Sequence, residues 1–151
     1  LKRSDCATSA VLRPLIQRIY FVSTCNVCSG ATAENPPLPT LKMAEYDATG
    51  TLQITPLVEG IDDLQFYFGI DSDGNGSPDS YVATPANWAD VVTVRIHVLA
   101  RNEFTSAGWS ETRTYDMGGV TPVGPFNDRY KRHVFSGVAR LYNLSGQREV
   151  R

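Results

Sequence analysis

Between Val91 and Arg101 most side chains alternate between two kinds. Val92, Val94, Ile96, Val98 and Ala100 share one side. Thr93, Arg95, His97 and Arg101 share the other. Successive side chains of a strand point to opposite faces, so this period of two predicts a strand with an apolar face toward a core and a polar face toward solvent. His97 is then expected on the solvent face. The same period runs through Leu64, Phe66, Phe68 and Ile70, and again through Phe135, Gly137, Ala139 and Leu141, with Arg140 opposite. Strands with one dry and one wet face belong in antiparallel sheets.

The rest of the chain fits strands separated by turn clusters. Leu15–Val22 reads as the first strand. Residues 29–40 hold Gly30, Asn35, Pro36, Pro37 and Pro39 and admit no regular element. Leu41–Tyr46 and Leu52–Leu57 flank Asp47-Ala48-Thr49-Gly50, a hairpin signature. Between them and the strand Gln65–Ile70, Val58, Ile61 and Leu64 are spaced as one helical face. That stretch reads as a turn or short helical crossover, weakened by Gly60. Pro85–Asp90 reads as a turn or a single helical turn. Residues 102–130, rich in Gly, Pro, Ser and Thr, have the length at which a loop becomes functional or disordered. Arg132–Leu144 closes the chain as a strand. The fold class expected is α+β, mostly antiparallel β.

At 151 residues the chain has the size of one domain, 1–151, able to bury a sizeable core. Its net charge of −2 makes no case for nucleic acid as a partner. No run of about 18 apolar residues occurs, so no stretch reads as a transmembrane helix. The sequence opens at Leu1 without a signal-peptide pattern and reads as a mature or truncated piece of a longer protein.

Residues 71–79, D-S-D-G-N-G-S-P-D, place oxygen side chains at every second position: Asp71, Asp73, Asn75, Ser77 and Asp79. Ca²⁺ takes six to eight oxygens, and an alternating acidic loop with glycine at its sixth position can wrap it. The twelfth position is Val82, where an EF-hand supplies a bidentate glutamate. With strand patterns on both sides, the loop joins two strands. It is either a Ca²⁺ site or a metal-free turn whose Asp, Asn and Gly residues supply local hydrogen bonds and positive φ.

Of three cysteines, Cys25 and Cys28 form a C-x-x-C after a β-rich run. A thioredoxin-type centre would open a helix, and a zinc site would need a second pair. A small disulfide formed in an oxidising compartment is expected, with Cys6 left over. There is no nucleophile elbow, phosphate-binding loop or zinc-protease motif. His97 and His133 fall inside expected strands. Asp62 and Asp63 are adjacent, which on a strand sends them to opposite faces, and in a helical turn makes them solvated charges. No enzyme is expected.

The order of these pieces carries a resemblance. Pro56–Asp71, P-L-V-E-G-I-D-D-L-Q-F-Y-F-G-I-D, runs into the acidic loop. P-x-x-W-x-x-V-V-x-V-R follows from Pro85 to Arg95, and R-H-V-F-S-G-V-A-R-L-Y-N begins at Arg132. Over about residues 15–145 this resembles the C-terminal globular part of PilW-type minor pilins of bacterial type IV pili. The tract L-V-E-G-I-D-D-L-Q-F-Y-F is also similar to one in J-type minor pseudopilins of type II secretion. T-C-N-V-C-S-G, from Thr24 to Gly30, fits the same group.

The resemblance implies a pilin-like β domain set beside an N-terminal anchor helix that this chain does not show. It implies a non-enzymatic subunit, anchored in the membrane before assembly, with its globular part periplasmic and then on the cell-surface pilus. The implied partners are other minor pilins and the major pilin, with a tip adhesin as a further candidate, in priming a pilus that serves adhesion and twitching motility. Asp71, Asp73, Asn75 and Asp79 match the family's acidic loop. The competing reading is a stand-alone extracellular module for calcium-dependent adhesion or carbohydrate binding.

Overall fold

A computed structural model describes residues 6–9 and 16–142. Seven strands form two antiparallel sheets: β1 (Arg18–Ser23), β2 (Thr40–Tyr46), β3 (Leu52–Glu59), β4 (Ile61–Ile70), β5 (Ser80–Val82), β6 (Val91–Arg101) and β7 (Arg132–Arg140). The first sheet has the order β1-β2-β3 and the second β5-β4-β6-β7. A single 3-10 turn, Trp88–Asp90, leads into β6, capped by Asn87, whose side chain accepts from the Ala89 N–H. No element among the described residues is an α-helix, and none is long and apolar enough to cross a membrane.

The expected first strand lies at Arg18–Ser23, and Leu15 falls outside the described residues. The 47–50 turn joins β2 to β3. Asp47 accepts from the Thr49 and Thr51 N–H groups at 2.9 and 3.0 Å, and Gly50 supplies a φ of +80°. The closing strand ends at Arg140, while 143 and 144 lie outside the described residues.

The 57–64 stretch is not a turn or a helical crossover. β3 runs to Glu59, the chain bends at Gly60, and β4 begins at Ile61. Gly60 has a φ of +76°, and a Cβ there would stand 2.8 Å from the Arg101 carbonyl oxygen. The bend is locked from both sides. The Gly60 N–H donates to Pro39 O at 2.7 Å, and the Arg101 N–H donates to Gly60 O at 2.8 Å. These backbone bonds override a helical spacing that glycine had already weakened. A register shift between Ile61 and Asp63 then makes Asp62 a bulge.

In the second sheet, the register stacks Leu64 beside Val98 beside Phe135, Phe66 beside Ile96 beside Gly137, and Phe68 beside Val94 beside Ala139. This apolar face is the one the alternation assigned to the core. Apart from Val92, which is fully buried, it is only half-buried on β4 and β6, and it is exposed on β7, where Phe135 is 57% exposed. The opposite face carries more of the burial. Thr93, His97 and Leu99 are buried on it, Leu99 completely. His97 is therefore not solvent-facing.

The physical reason lies far along the chain. Residues 102–130 fold back over this side of the sheet instead of standing in solvent. Tyr115 and Val123 exchange backbone hydrogen bonds, and the Glu111 N–H donates to Asp128 O at 2.7 Å. Tyr115 and Met117 close a core on Leu99, with Val123, Phe126 and Val134 packed around it. Gly118 sits directly over the His97 ring, where a Cβ would meet Nε2 at 2.7 Å.

Candidate functional site

Among the described residues, three places gather side chains with chemical potential: the 71–79 loop, the ion cluster at the start of β4, and the open apolar face.

The loop leaves β4 at Ile70 and returns to β5 at Ser80. Its closure is set by the Asp79 N–H, which donates to Ile70 O at 2.7 Å. Asp71 is fully buried and lies at the centre of the turn. Its Oδ1 accepts from the N–H groups of Gly74 and Asn75 at 2.8 and 3.1 Å, and its Oδ2 accepts from Gly76 at 3.0 Å. Gly74 and Gly76 adopt φ of +78° and +86°, which brings those N–H groups round the carboxylate. Asp79 accepts from both the hydroxyl and the N–H of Ser72, at 2.6 and 2.8 Å. The hydroxyl bond first, and the N–H after it, hold the Asp79 carboxyl below its ordinary range.

Of the five residues expected as ligands, the fold brings three acids together. One carboxylate oxygen each from Asp71, Asp73 and Asp79 lies within 4.8 Å of the others, a spacing that one cation could bridge. Asn75 turns its Oδ1 to the Ser77 N–H at 2.8 Å and its amide Nδ2 to Asp73 at 2.8 Å. Ser77 is exposed. The donor set is all oxygen and suits a hard cation, while the loop also satisfies its own carboxylates with N–H and O–H donors.

The ion cluster was not legible as such in the sequence. Asp62 is no solvated charge: its side chain is 10% exposed and meets the guanidinium of Arg132 at 2.6 Å and that of Arg101 at 3.5 Å. Arg132 also makes a fork to Asp128, at 2.6 and 2.7 Å. Burial works against the Arg132 charge, but the bonds to Asp128 and Asp62 outweigh it, and its pKa stays raised. The bulge at Asp62 is the local cause, since it re-aims a side chain off the sheet. Asp63 is occupied separately, accepting from the Leu64 N–H and from Gln65. The two carboxylates do not work as a pair.

Cys25 and Cys28 form the expected disulfide, with Cα atoms 5.2 Å apart just past β1. Cys6 is exposed and stands outside it.

The PilW model, describing the type IV pilus-assembly protein W, matches residues 19–143. The chain belongs to the PilW family. That match takes in the bent β3–β4 strand, the acidic loop, both sheets and the 102–130 excursion. No curated protein and no solved structure matches the chain significantly. PilW proteins form a non-enzymatic structural family. A role in type IV pilus assembly, within the pilus machinery of the cell envelope, follows for this chain from its family. The functional surface of a PilW domain is thus sought among its faces and not in a catalytic pocket.

Proposed function

We propose that this chain is the globular part of a minor pilin, a single domain that helps prime the type IV pilus at its tip through contacts with other minor pilins and the major pilin. The PilW match over residues 19–143 carries the reading. The open apolar face supports it. Phe66, Phe68, Val94, Ile96, Val98 and Phe135 form one continuous side of a sheet that the described residues leave half-covered or bare. Contiguous apolar surface of this kind marks a protein contact site. The test is genetic. Loss of the gene should remove surface pili, the wild-type chain should restore them, and Ile96→Lys should fold yet fail to restore them. Full piliation without the gene, or with Ile96→Lys in its place, overturns the reading. Antibody against the domain should label pilus ends, and label spread evenly along the shaft removes the tip assignment.

A second reading concerns the loop. The convergence of Asp71, Asp73 and Asp79 favours a weak Ca²⁺ site in which Asn75 supplies a side-chain oxygen, Ser77 its carbonyl, and water the remainder. Without a bidentate glutamate, affinity belongs in the ~10⁻⁴–10⁻³ M range of extracellular modules. Ca²⁺ at ten times the Kd would then stabilise the fold by about 1.4 kcal/mol. A thermal melt in Ca²⁺ against chelator should show that shift, and Asp73→Ala should abolish it. No shift, or an equal one in the variant, reduces the loop to a hydrogen-bonded turn.

A further inference from the structure

Among the described residues, the two sheets end in four edge strands: β1 and β3 in the first, β5 and β7 in the second. An edge strand is a template for pairing with another chain, and folds blunt it with short length, proline, bulges or charge. β5 has three residues. β3 carries Pro56 and a register break at Leu57. β1 is six residues long and begins at Arg18, which is ion-paired to Glu45. β7 differs. It runs for nine residues in unbroken register with β6, without proline, and residues 135–140 are all exposed.

The register fixes which backbone groups face outward. The Leu141 N–H donates to Val92 O, and the Asn102 N–H donates to Lys131 O. In an antiparallel ladder the hydrogen-bonded pairs recur every second residue, so the odd-numbered residues of β7 bond to β6. The N–H and C=O groups of Val134, Ser136 and Val138 point away from the sheet and find no backbone partner among the described residues.

The strand reads R-H-V-F-S-G-V-A-R. Its even positions, Arg132, Val134, Ser136, Val138 and Arg140, are the same in both directions. Its odd positions set large against small about the same centre: His133 against Ala139, Phe135 against Gly137. We propose that β7 pairs antiparallel with β7 of a second copy of this chain, about a two-fold axis at Ser136, joining two four-stranded sheets into one.

In that register the outward groups of one strand meet those of the other, with Val134 opposite the second copy's Val138. β-Branched pairs of this kind stabilise sheets. Phe135 lies across the second copy's Gly137. A Cβ at Gly137 would meet nothing within 4 Å, so the space for the ring is there. Aromatic cover of an edge glycine is a recognised way to pin register. One opposition is unfavourable on its face, Arg132 against Arg140. Arg132 is turned inward to Asp62 and Asp128, which cancels its charge locally. The proposal does not rest on the pilus reading.

The experiment combines sedimentation of the 151-residue protein from micromolar to millimolar concentration with amide exchange read by NMR. The expected mass rises from 16.6 kDa toward twice that value. The amides of Val134, Ser136 and Val138 should exchange more slowly as concentration rises, while their odd-numbered neighbours stay unchanged. Val138→Pro removes an outward N–H without touching the bonds to β6, and should keep the chain monomeric with an unaltered β-type circular dichroism spectrum. A chain that stays monomeric up to millimolar concentration overturns the proposal. So does a dimer that persists in Val138→Pro, or one whose formation leaves those three amides unprotected. If Val138→Pro fails to fold, the amide pattern of the unaltered chain decides.

Discussion

Arg132 is 6% exposed and holds two carboxylates, Asp62 from the β4 bulge and Asp128 from the long excursion. Removing one partner of a buried charge cluster leaves the others uncompensated, at a cost of 3–5 kcal/mol in typical cases, roughly. Arg101 remains near Asp62, so Arg132→Met is expected at the low end, about 3 kcal/mol in urea unfolding. A loss below about 1 kcal/mol would show that Asp62 and Asp128 do not depend on it.

Acid should act through the same class of residue. The Arg113 fork holds Glu111 down to about 2, from 4.5 in an unstructured chain. Asp128 is lowered by Arg132, Asp79 by the Ser72 hydroxyl, and Glu34 by the Leu38 N–H. Each has a folded pKa below its unfolded one. Their stabilisation is therefore present above the unfolded values and is lost as pH falls through the folded values. The melting temperature should fall as pH drops from 4.5 toward 2. A melting temperature level across that window contradicts the assignment.

At the scale of elements, Gly60 decides whether β3 and β4 are one bent ribbon or two separate strands. Gly60→Ala would put a Cβ 2.8 Å from a backbone oxygen in a left-handed conformation. The expected cost is about 2 kcal/mol, with the loss spread over both sheets because the bend ties Pro39, Gly60 and Arg101 together. A neutral Gly60→Ala would mean that the bend relaxes without effort. The strands themselves were legible, because the period of two read in 64–70, 91–101 and 132–144 is a local property of the pleat, although β7 ends at Arg140. The 57–61 extension was not, because Val58, Ile61 and Leu64 also fit a helix, a reading that Gly60 weakens without excluding.

For the whole molecule, the two faces of the second sheet should answer differently to truncation. Leu99 lies fully buried under Tyr115 and Met117, and Leu99→Ala is expected to cost about 3 kcal/mol. Ile96, half-buried on the open face, should cost about 1 kcal/mol on truncation to Ala. Unfolding curves of the two variants check this, and the reverse order would place the core on the other side. The same contrast lets Ile96→Lys separate folding from assembly.

Apart from the 57–64 stretch, the sequence by itself determined where most strands run, where most turns fall, and that Cys25 can reach Cys28. All three are settled within a few residues by side-chain alternation, turn chemistry and loop length. It also placed Asp71, Asp73 and Asp79 on one short loop. Only the tertiary structure decided which face of the sheet is dry. Alternation says that a strand has two different sides, not which of them another part of the chain will cover. Here residues 102–130 cover the side of His97 and Leu99, and leave Phe66 and Ile96 half-buried and Phe135 exposed. The same holds for Asp62, whose role depends on an arginine 70 positions away. Burial is a property of what comes together across the fold, and no local pattern contains it.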